Sequence, residues 1–258
     1  QIITDILAGI QTFDGTRMVV NPDREQAIHQ TLELARPSDI IVVAAAHSRL
    51  THVFEKQGGS WQRTGVLGGT PGQLGNGNSV AIANGVVAIG DDDPHGMGLY
   101  RREAGGWVNI ANYEQGFGFP DDGYFSPQVD ISPSTAIHGS WGSHYDPPLP
   151  STAYIYTPGA GDNWAQPSVD SIPQPGGTRY PNGFSSEVMI SGNTAVISDV
   201  LFVRNSSGEW LNMGRIEGVA ALGDDETTIF GHSLPYRSAP SLYRRNSSGE
   251  WPVRAEFM

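Results

Sequence analysis

Asn205-Ser206-Ser207-Gly208-Glu209-Trp210 returns unchanged as Asn246-Ser247-Ser248-Gly249-Glu250-Trp251. Looser copies are Gln57-Gly58-Gly59-Ser60-Trp61, Ala104-Gly105-Gly106-Trp107 and Gly159-Ala160-Gly161-Asp162-Asn163-Trp164. Trp61, Trp107, Trp164, Trp210 and Trp251 are thus separated by 46, 57, 46 and 41 residues. A Gly-rich turn followed by tryptophan at a period in the forties marks a repeat architecture, in which one supersecondary unit is stacked several times.

Working outward from the second copy gives the unit. Val80-Ala81-Ile82-Ala83 is a short apolar strand, and Asn84-Gly85 is a tight hairpin turn. Val86-Val87-Ala88-Ile89-Gly90 is nearly continuous in apolar residues, which predicts a strand buried on both faces. After the polar loop Asp91 to Gly96, Gly98 to Arg102 alternates as a third strand, and Gly105-Gly106 turns the chain into Trp107 to Ile110 as the fourth. Four antiparallel strands in a meander make one propeller blade. Four other segments fall into the same register. Their second strands are Ile40 to Ala46, Thr135 to Gly139, Thr194 to Ser198 and Thr227 to Gly231. Small residues (Ala44, Gly90, Gly139, Ser198, Gly231) fall where second strands end. The recurrent tryptophan reads best as packing between blades rather than as a ligand set.

The N-terminus follows the pattern less closely. Ile6 to Asn21 reads as the inner hairpin of a partial blade, because Asp14-Gly15 before Thr16 to Asn21 resembles Gly192-Asn193 before Thr194 to Ser198. Asp23 to Leu34 also fits a helix, with Ala27, Ile28 and Leu32 loosely at helical spacing, which would make an α/β unit with Ile40 to Val43.

Composition narrows the function. The 258 residues carry a net charge of −12, with Lys56 as the one lysine, which argues against a nucleic-acid or anionic-membrane binder. With no cysteine, disulfides, Cys-ligated zinc and thiol catalysis are excluded. Gly 33 and Pro 18 suit short strands joined by turns. No apolar run approaches the ~18 residues of a membrane helix. The start at Gln1 without Met suggests a processed chain, hence an extracellular or periplasmic expectation.

Asn78-Ser79-Val80-Ala81-Ile82-Ala83-Asn84-Gly85-Val86-Val87-Ala88-Ile89-Gly90 and Val188-Met189-Ile190-Ser191-Gly192-Asn193-Thr194-Ala195-Val196-Ile197-Ser198 carry a family likeness. The repeat resembles the FG-GAP family, the blade unit of integrin-type β-propellers, over residues 29 to 258. The Phe-Gly lead is degenerate, as Leu74-Gly75, Tyr124-Phe125 and reversed Gly183-Phe184. The family's calcium-binding members carry an Asp-rich loop between the first two strands. Here that turn is as short as Asn84-Gly85, too short to supply the about six to eight oxygens that calcium takes. The resemblance implies the fold and does not carry calcium over.

The candidate sites lie on long loops. Ser140 to Pro150 offers Trp141 and Tyr145 to stack on a sugar or grip a partner side chain, with His144 and Asp146 as hydrogen-bonding groups; the alternative is a Pro-stiffened rim loop. Asn112 to Tyr124 carries Phe117 and Phe119, an exposed apolar contact or a plug between blades. Tyr236, in Leu234 to Arg237, poses the same question. His47, His95, His138, His144 and His232 fall near the ends of second strands, but without metal-ligand spacing, and His138 reads as a core histidine. Asp91-Asp92-Asp93 and Asp224-Asp225-Glu226 read as solvated acidic turns. The Asn-Ser-Ser triplets at Asn205 and Asn246 match the N-glycosylation signal and equally match turn chemistry.

No nucleophile elbow, phosphate-binding loop or dinucleotide fingerprint appears. The inner strands, where five-bladed glycosidases carry axial carboxylates, offer Glu33 and Asp130, and Asp199 is the best remaining carboxylate at the mouth, but together they make no acid/base pair. The expectation is an all-β propeller forming a single domain over residues 1–258. It has six blade positions: a partial one at 1–28 and five repeats at 29–258, with a five-bladed ring as the alternative. The expected function is a non-enzymatic binding or scaffold module for adhesion or protein–protein interaction, with no cofactor and no metal. The expected partner is a protein or a glycan, with the chain as a subunit of a hetero-oligomeric complex. A lectin is the alternative, and a propeller-type glycoside hydrolase comes third.

Overall fold

A computed structural model of the chain describes residues 40–45, 50–68, 76–91, 96–114, 128–140, 151–175, 187–216, 219–223, 228–232, 240–246, 251 and 253–256. The predicted N-terminal hairpin, the alternative helix at Asp23 to Leu34 and the predicted strand Leu32 to Ala35 lie outside them.

The described residues form five antiparallel sheets, each in simple meander order. The first contains β1 (Ile40–Ala45), β2 (Leu50–Gln57) and β3 (Ser60–Leu67). The second contains β4 (Asn76–Ala83), β5 (Val86–Asp91), β6 (Gly96–Glu103) and β7 (Gly106–Tyr113). The third contains β8 (Val129–Ile131), β9 (Ala136–Ser140), β10 (Thr152–Gly159) and β11 (Asn163–Pro173). The fourth contains β12 (Val188–Ser191), β13 (Thr194–Ile197), β14 (Val200–Arg204) and β15 (Trp210–Arg215). The fifth contains β16 (Val219–Leu222), β17 (Thr228–His232), β18 (Pro240–Arg244) and β19 (Val253–Glu256). Four of them are four-stranded sheets of the propeller-blade type, and the first shows, among the described residues, the second to fourth strands of such a sheet. They fall where the repeat register puts them, within a residue or two at most strand ends.

Local chemistry sets the hairpins. Asn84 and Gly85 both take positive φ, 47° and 72°, the type I′ geometry whose twist matches that of the flanking strands. Asn205 builds a different turn between β14 and β15. Its Oδ1 accepts from the backbone N–H groups of Ser207 (3.0 Å) and Glu209 (2.9 Å) and from the Ser207 hydroxyl (2.7 Å). Its Nδ2 donates to Glu209 Oε2 at 3.0 Å. The Asn205 amide, and after it the Ser207 hydroxyl, hold the Glu209 carboxyl below its ordinary range. The hexapeptide is therefore an Asx turn closed by its own glutamate.

The core is divided among the junctions between successive sheets, and strand periodicity does the dividing. On β5, Val87 and Ile89 face the first sheet while Val86 and Ala88 face the third. On β13 and β14, Ala195, Ile197, Val200 and Phe202 face the third sheet, while Val196, Leu201 and Val203 face the fifth. Both faces of a middle strand are thus buried, which is why Val86 to Gly90 is unbroken in apolar and small residues.

The recurrent tryptophan has a fixed place in this scheme. Trp107 packs on the cluster containing Val53 and Leu67, Trp210 on that containing Ile155 and Ile172, and Trp251 on that containing Val203 and Ile216. Trp164 lies in the cluster containing Leu99 and Tyr113, and is 2% exposed. Each one packs across the junction onto the preceding blade, in the interblade packing role. The fit is close: a Cβ on Gly65 would stand 2.7 Å from Trp107 Cδ1.

Successive first strands, which a propeller places next to its axis, are tied by side chains. Ser79 Oγ accepts from Val129 N–H at 2.9 Å. Asp130 Oδ2 accepts from Ile190 N–H at 2.7 Å, and Ser132 Oγ accepts from Gly192 N–H at 3.3 Å. The pairs 130 with 190 and 132 with 192 advance together, so β8 and β12 run side by side in the same direction.

Candidate functional site

Trp141, His144, Tyr145, Asp146, Phe117, Phe119 and Tyr236 lie outside the described residues, and only the residues flanking them are placed. Ser140 and Thr152, which bracket the loop of Trp141 and Tyr145, pair across β9 and β10. Tyr113 at the end of β7 pairs with Met97 at the start of β6, just before the connection carrying Phe117 and Phe119. His232 and Pro240, which bracket Tyr236, pair across β17 and β18. All three pairs stand at the end of the sheet from which second strands lead into third strands. In a propeller, where first strands run parallel around the axis as β8 and β12 do here, these ends share one face.

The titratable candidates are committed to the frame. Asp130 accepts from Ile131 N–H (2.9 Å) with one oxygen and from Ile190 N–H with the other. Asp199 accepts from Arg215 Nε at 2.9 Å, with a second, closer contact from the same guanidinium. His138 is fully buried, its ring 5.3 Å from that of Tyr154 and 5.6 Å from that of Tyr156. His47, His95 and His144 lie outside the described residues, as do Glu33, Asp92, Asp93, Asp224, Asp225 and Glu226. Among the described residues, no three His, Asp or Glu side chains converge as a metal would require.

The structure adds a site that the loop-based reading does not contain, and β-bulges account for it. In four sheets the fourth strand carries one unpaired residue, three positions past its tryptophan: Thr64, Ile110, Met213 and Arg254. In the third sheet the bulge is larger. Gly159 pairs with Asn163 and Thr157 with Ser168, so residues 164 to 167 stand opposite Pro158 alone. Proline has no N–H to give the ladder, and Pro158 and Pro167 both fall in this break. The enlarged bulge folds over β10, where a Cβ on Gly159 would lie 2.9 Å from the Gln166 carbonyl oxygen. It also turns Trp164 inward, and the Trp164 carbonyl accepts from the Tyr113 hydroxyl at 2.5 Å.

Between β7 and β11 the bulge leaves a groove of about 640 Å³, within the ~300–1,000 Å³ typical of ligand pockets. Ile110, Ala165, Pro167 and Val169 supply apolar walls, and Asn112 and Glu114 supply polar groups. Tyr156 also lines it, stacked on Tyr113 with ring centroids 3.9 Å apart and planes 6° apart. Burial pushes both phenols well above their ordinary range, and for Tyr156 the neighbouring Tyr113 and Tyr154 add to the effect. Both are neutral hydroxyls at physiological pH. Among the described residues the Tyr156 hydroxyl has no hydrogen-bond partner, although Tyr156 is 1% exposed. Pro158 and Pro167, on either side of the Gly-rich turn and Trp164, were the available signal for this site.

No family model matches the chain, and no curated protein matches it. Solved structures do. The chain is similar to a protein from Lactobacillus plantarum with a TM-score of 0.55 at 13% identity, over 85% of this chain and 68% of that one. It is similar to a functionally unknown protein from Desulfotomaculum acetoxidans with a TM-score of 0.52 at 12% identity, over 86% of this chain and 67% of that one. At these identities the likeness is one of fold, and it agrees with an all-β protein built from propeller-type sheets.

Proposed function

We propose that the chain is a non-enzymatic binding or scaffold module that uses one face of a propeller for protein–protein interaction or adhesion. The carrying observation is that the three connections bearing Trp141 with Tyr145, Phe117 with Phe119, and Tyr236 all spring from sheet ends on that face. Aromatic residues on loops held by a rigid frame are the usual material of a recognition surface. The commitment of Asp130 to an amide of the next blade, and of Asp199 to a guanidinium of its own blade, fits a module whose carboxylates are structural.

In this reading the repeats are FG-GAP-like, on the matches at Asn78 to Gly90 and Val188 to Ser198. The ring has six blade positions, the first of them partial at residues 1–28; a five-bladed ring is the alternative. The FG-GAP likeness supports an extracellular or periplasmic setting and a place in a hetero-oligomeric complex.

The test is isolation of the protein from its native source. A stoichiometric protein partner is the expected result. A free monomer that binds glycans through Trp141 and Tyr145 would replace the scaffold with a lectin. Hydrolysis of a polysaccharide, lost on substitution of a carboxylate pair about 5–10 Å apart at the axis, would replace it with an enzyme.

A further inference from the structure

We propose that the joint between the fourth and fifth blades takes a carboxylate of a partner protein at Arg245, in the place that Asp170 fills at the joint before it. The inference rests on the binding-module reading and gives it a partner chemistry, an acidic side chain with an apolar neighbour.

Four of the five sheets carry a basic residue near the end of the third strand. Lys56, Arg102 and Arg204 each stand there, opposite the repeat tryptophan across the ladder. Arg245 holds the same position, before Asn246 as Arg204 is before Asn205. Two of these residues latch onto a carboxylate of the preceding blade. Arg102 pairs with Glu55 at 3.1 Å and Arg204 with Asp170 at 3.3 Å.

At Arg245 the acid is missing. Asp170 lies opposite Ile155 across its ladder, and the matching pair in the fourth blade is Gly214 opposite Leu201. Ile155 and Leu201 both face the following blade, so Asp170 and Gly214 stand at corresponding places on corresponding faces. A Cβ on Gly214 would meet nothing within 4 Å, so the space that a carboxylate fills at one joint is open at the next. β14 and β15 contain no Asp or Glu that could reach over instead. Arg245 is half-buried and makes no ion pair among the described residues. A guanidinium matches a carboxylate with paired, charge-assisted hydrogen bonds, and the sibling joints show that this position is built for that match.

Leu211 lies opposite Val203 on the same face of β15 as Gly214 and is 46% exposed, so an apolar neighbour of the incoming acid has a contact. The Trp251 indole N–H is enclosed, and the visitor does not need it. The chain's net charge of −12 disfavours an acidic partner at long range. Salt screens that effect beyond about 8 Å. At contact the adjacent Arg244 and Arg245, neither of them in an ion pair among the described residues, set the sign.

Random peptides displayed on phage are panned against the full chain, and labelled peptides from the recovered pool are titrated by fluorescence anisotropy. The expected pool is rich in Asp or Glu beside an apolar residue. Arg245→Glu should weaken binding at least about tenfold, as like charges do in an interface. Arg63→Glu, at an exposed arginine of the first blade, should leave it unchanged. Gly214→Asp supplies the missing carboxylate from the chain itself and should weaken peptide binding about tenfold. Gly214→Asn has the same shape and the same strain at a φ of 102°, and should bind peptide as the parent does. Gly214→Asp should also unfold at higher denaturant than Gly214→Asn, and that difference should vanish in an Arg245→Gln background. The proposal is overturned by a pool without acidic residues, by no convergence, by binding that ignores Arg245→Glu, or by equal binding with Asp and Asn at position 214. A pool that converges but ignores Arg245→Glu removes this site and leaves the module reading intact. Failure to find any native partner removes that reading whatever the pool contains.

Discussion

The third blade meets its two neighbours in different ways. Toward the fourth blade the joint is closed and polar at its rim. Trp210 Nε1 donates to Asp170 at 3.1 Å, Arg204 pairs with the same carboxylate, and Arg204 also reaches Thr157 at 3.3 Å. Toward the second blade Arg101 pairs with Asp162 at the rim, and inward of that pair the joint is aromatic. Tyr113, Tyr156, His138 and Trp164 pack together, a groove opens above them, and neither the Tyr156 hydroxyl nor the Trp164 indole N–H finds a partner among the described residues. One repeated tryptophan slot has been filled in two ways. At Trp210 the single-residue bulge leaves the tryptophan half-buried with its indole N–H bonded at the rim, whereas Trp107 and Trp251, with the same bulge, keep theirs buried without a partner among the described residues. The enlarged bulge sinks the tryptophan and leaves polar atoms in the interior unmatched.

The hardest test of that contrast is truncation of the two tryptophans. Trp164→Ala should cost about 3–5 kcal/mol in denaturant unfolding, because a fully enclosed indole leaves a cavity the aromatic joint cannot refill. Trp210→Ala should cost roughly half as much, since its site is partly open to water. Equal losses would break the comparison.

Alkaline unfolding comes next in size. The folded-state pKa values of Tyr113 and Tyr156 are raised, so above the ordinary phenol range the unfolded chain releases protons that the folded chain keeps. Stability should therefore be flat with respect to these groups below pH ~10 and fall above it. The slope should approach about 1.4 kcal/mol per pH unit for each phenol. Unfolding midpoints measured across that range should show the slope roughly halved in Tyr156→Phe. A wild-type profile that stays level would remove the aromatic joint as the alkaline weak point.

Asp130→Ala examines the axial side of the closed joint. It strands the amides of Ile131 and Ile190, and a loss of about 1–3 kcal/mol in urea unfolding is expected. The smallest change is Tyr156→Phe at neutral pH. Deleting an unmatched hydroxyl should leave stability level or raise it by up to about 1 kcal/mol. A clear loss would mean that the hydroxyl is satisfied after all.

The repeat placed nearly every strand correctly because its signals are local. Asn84-Gly85 needs only its own φ angles, and Val86 to Gly90 needs only to be unbroken in apolar and small residues. The role of Asp130 was not legible, because the amide that claims its carboxylate belongs to Ile190, 60 residues further along. Set between Val129 and Ile131, it looked like a possible axial acid. The groove was missed for a related reason. Pro158 and Pro167 are nine residues apart in the sequence, and only their opposition across the ladder makes a four-residue bulge of them. The loop aromatics were conspicuous by composition, while the stacked tyrosines were hidden inside ordinary alternating strands.

Trp107, Trp164, Trp210 and Trp251 reach backward, from the entry to a fourth strand to the blade before it, like carriages hooked front to rear. A block running from a first strand to its own fourth strand therefore brings one hook and one receiving face. Copying or losing such a block whole leaves every remaining coupling chemically unchanged, whereas a cut within a blade separates a hook from the frame that aims it. The hexapeptide ending at Trp210 returns unchanged at Trp251, one such block further along. The coupling direction thus sets the unit by which this architecture can lengthen or shorten.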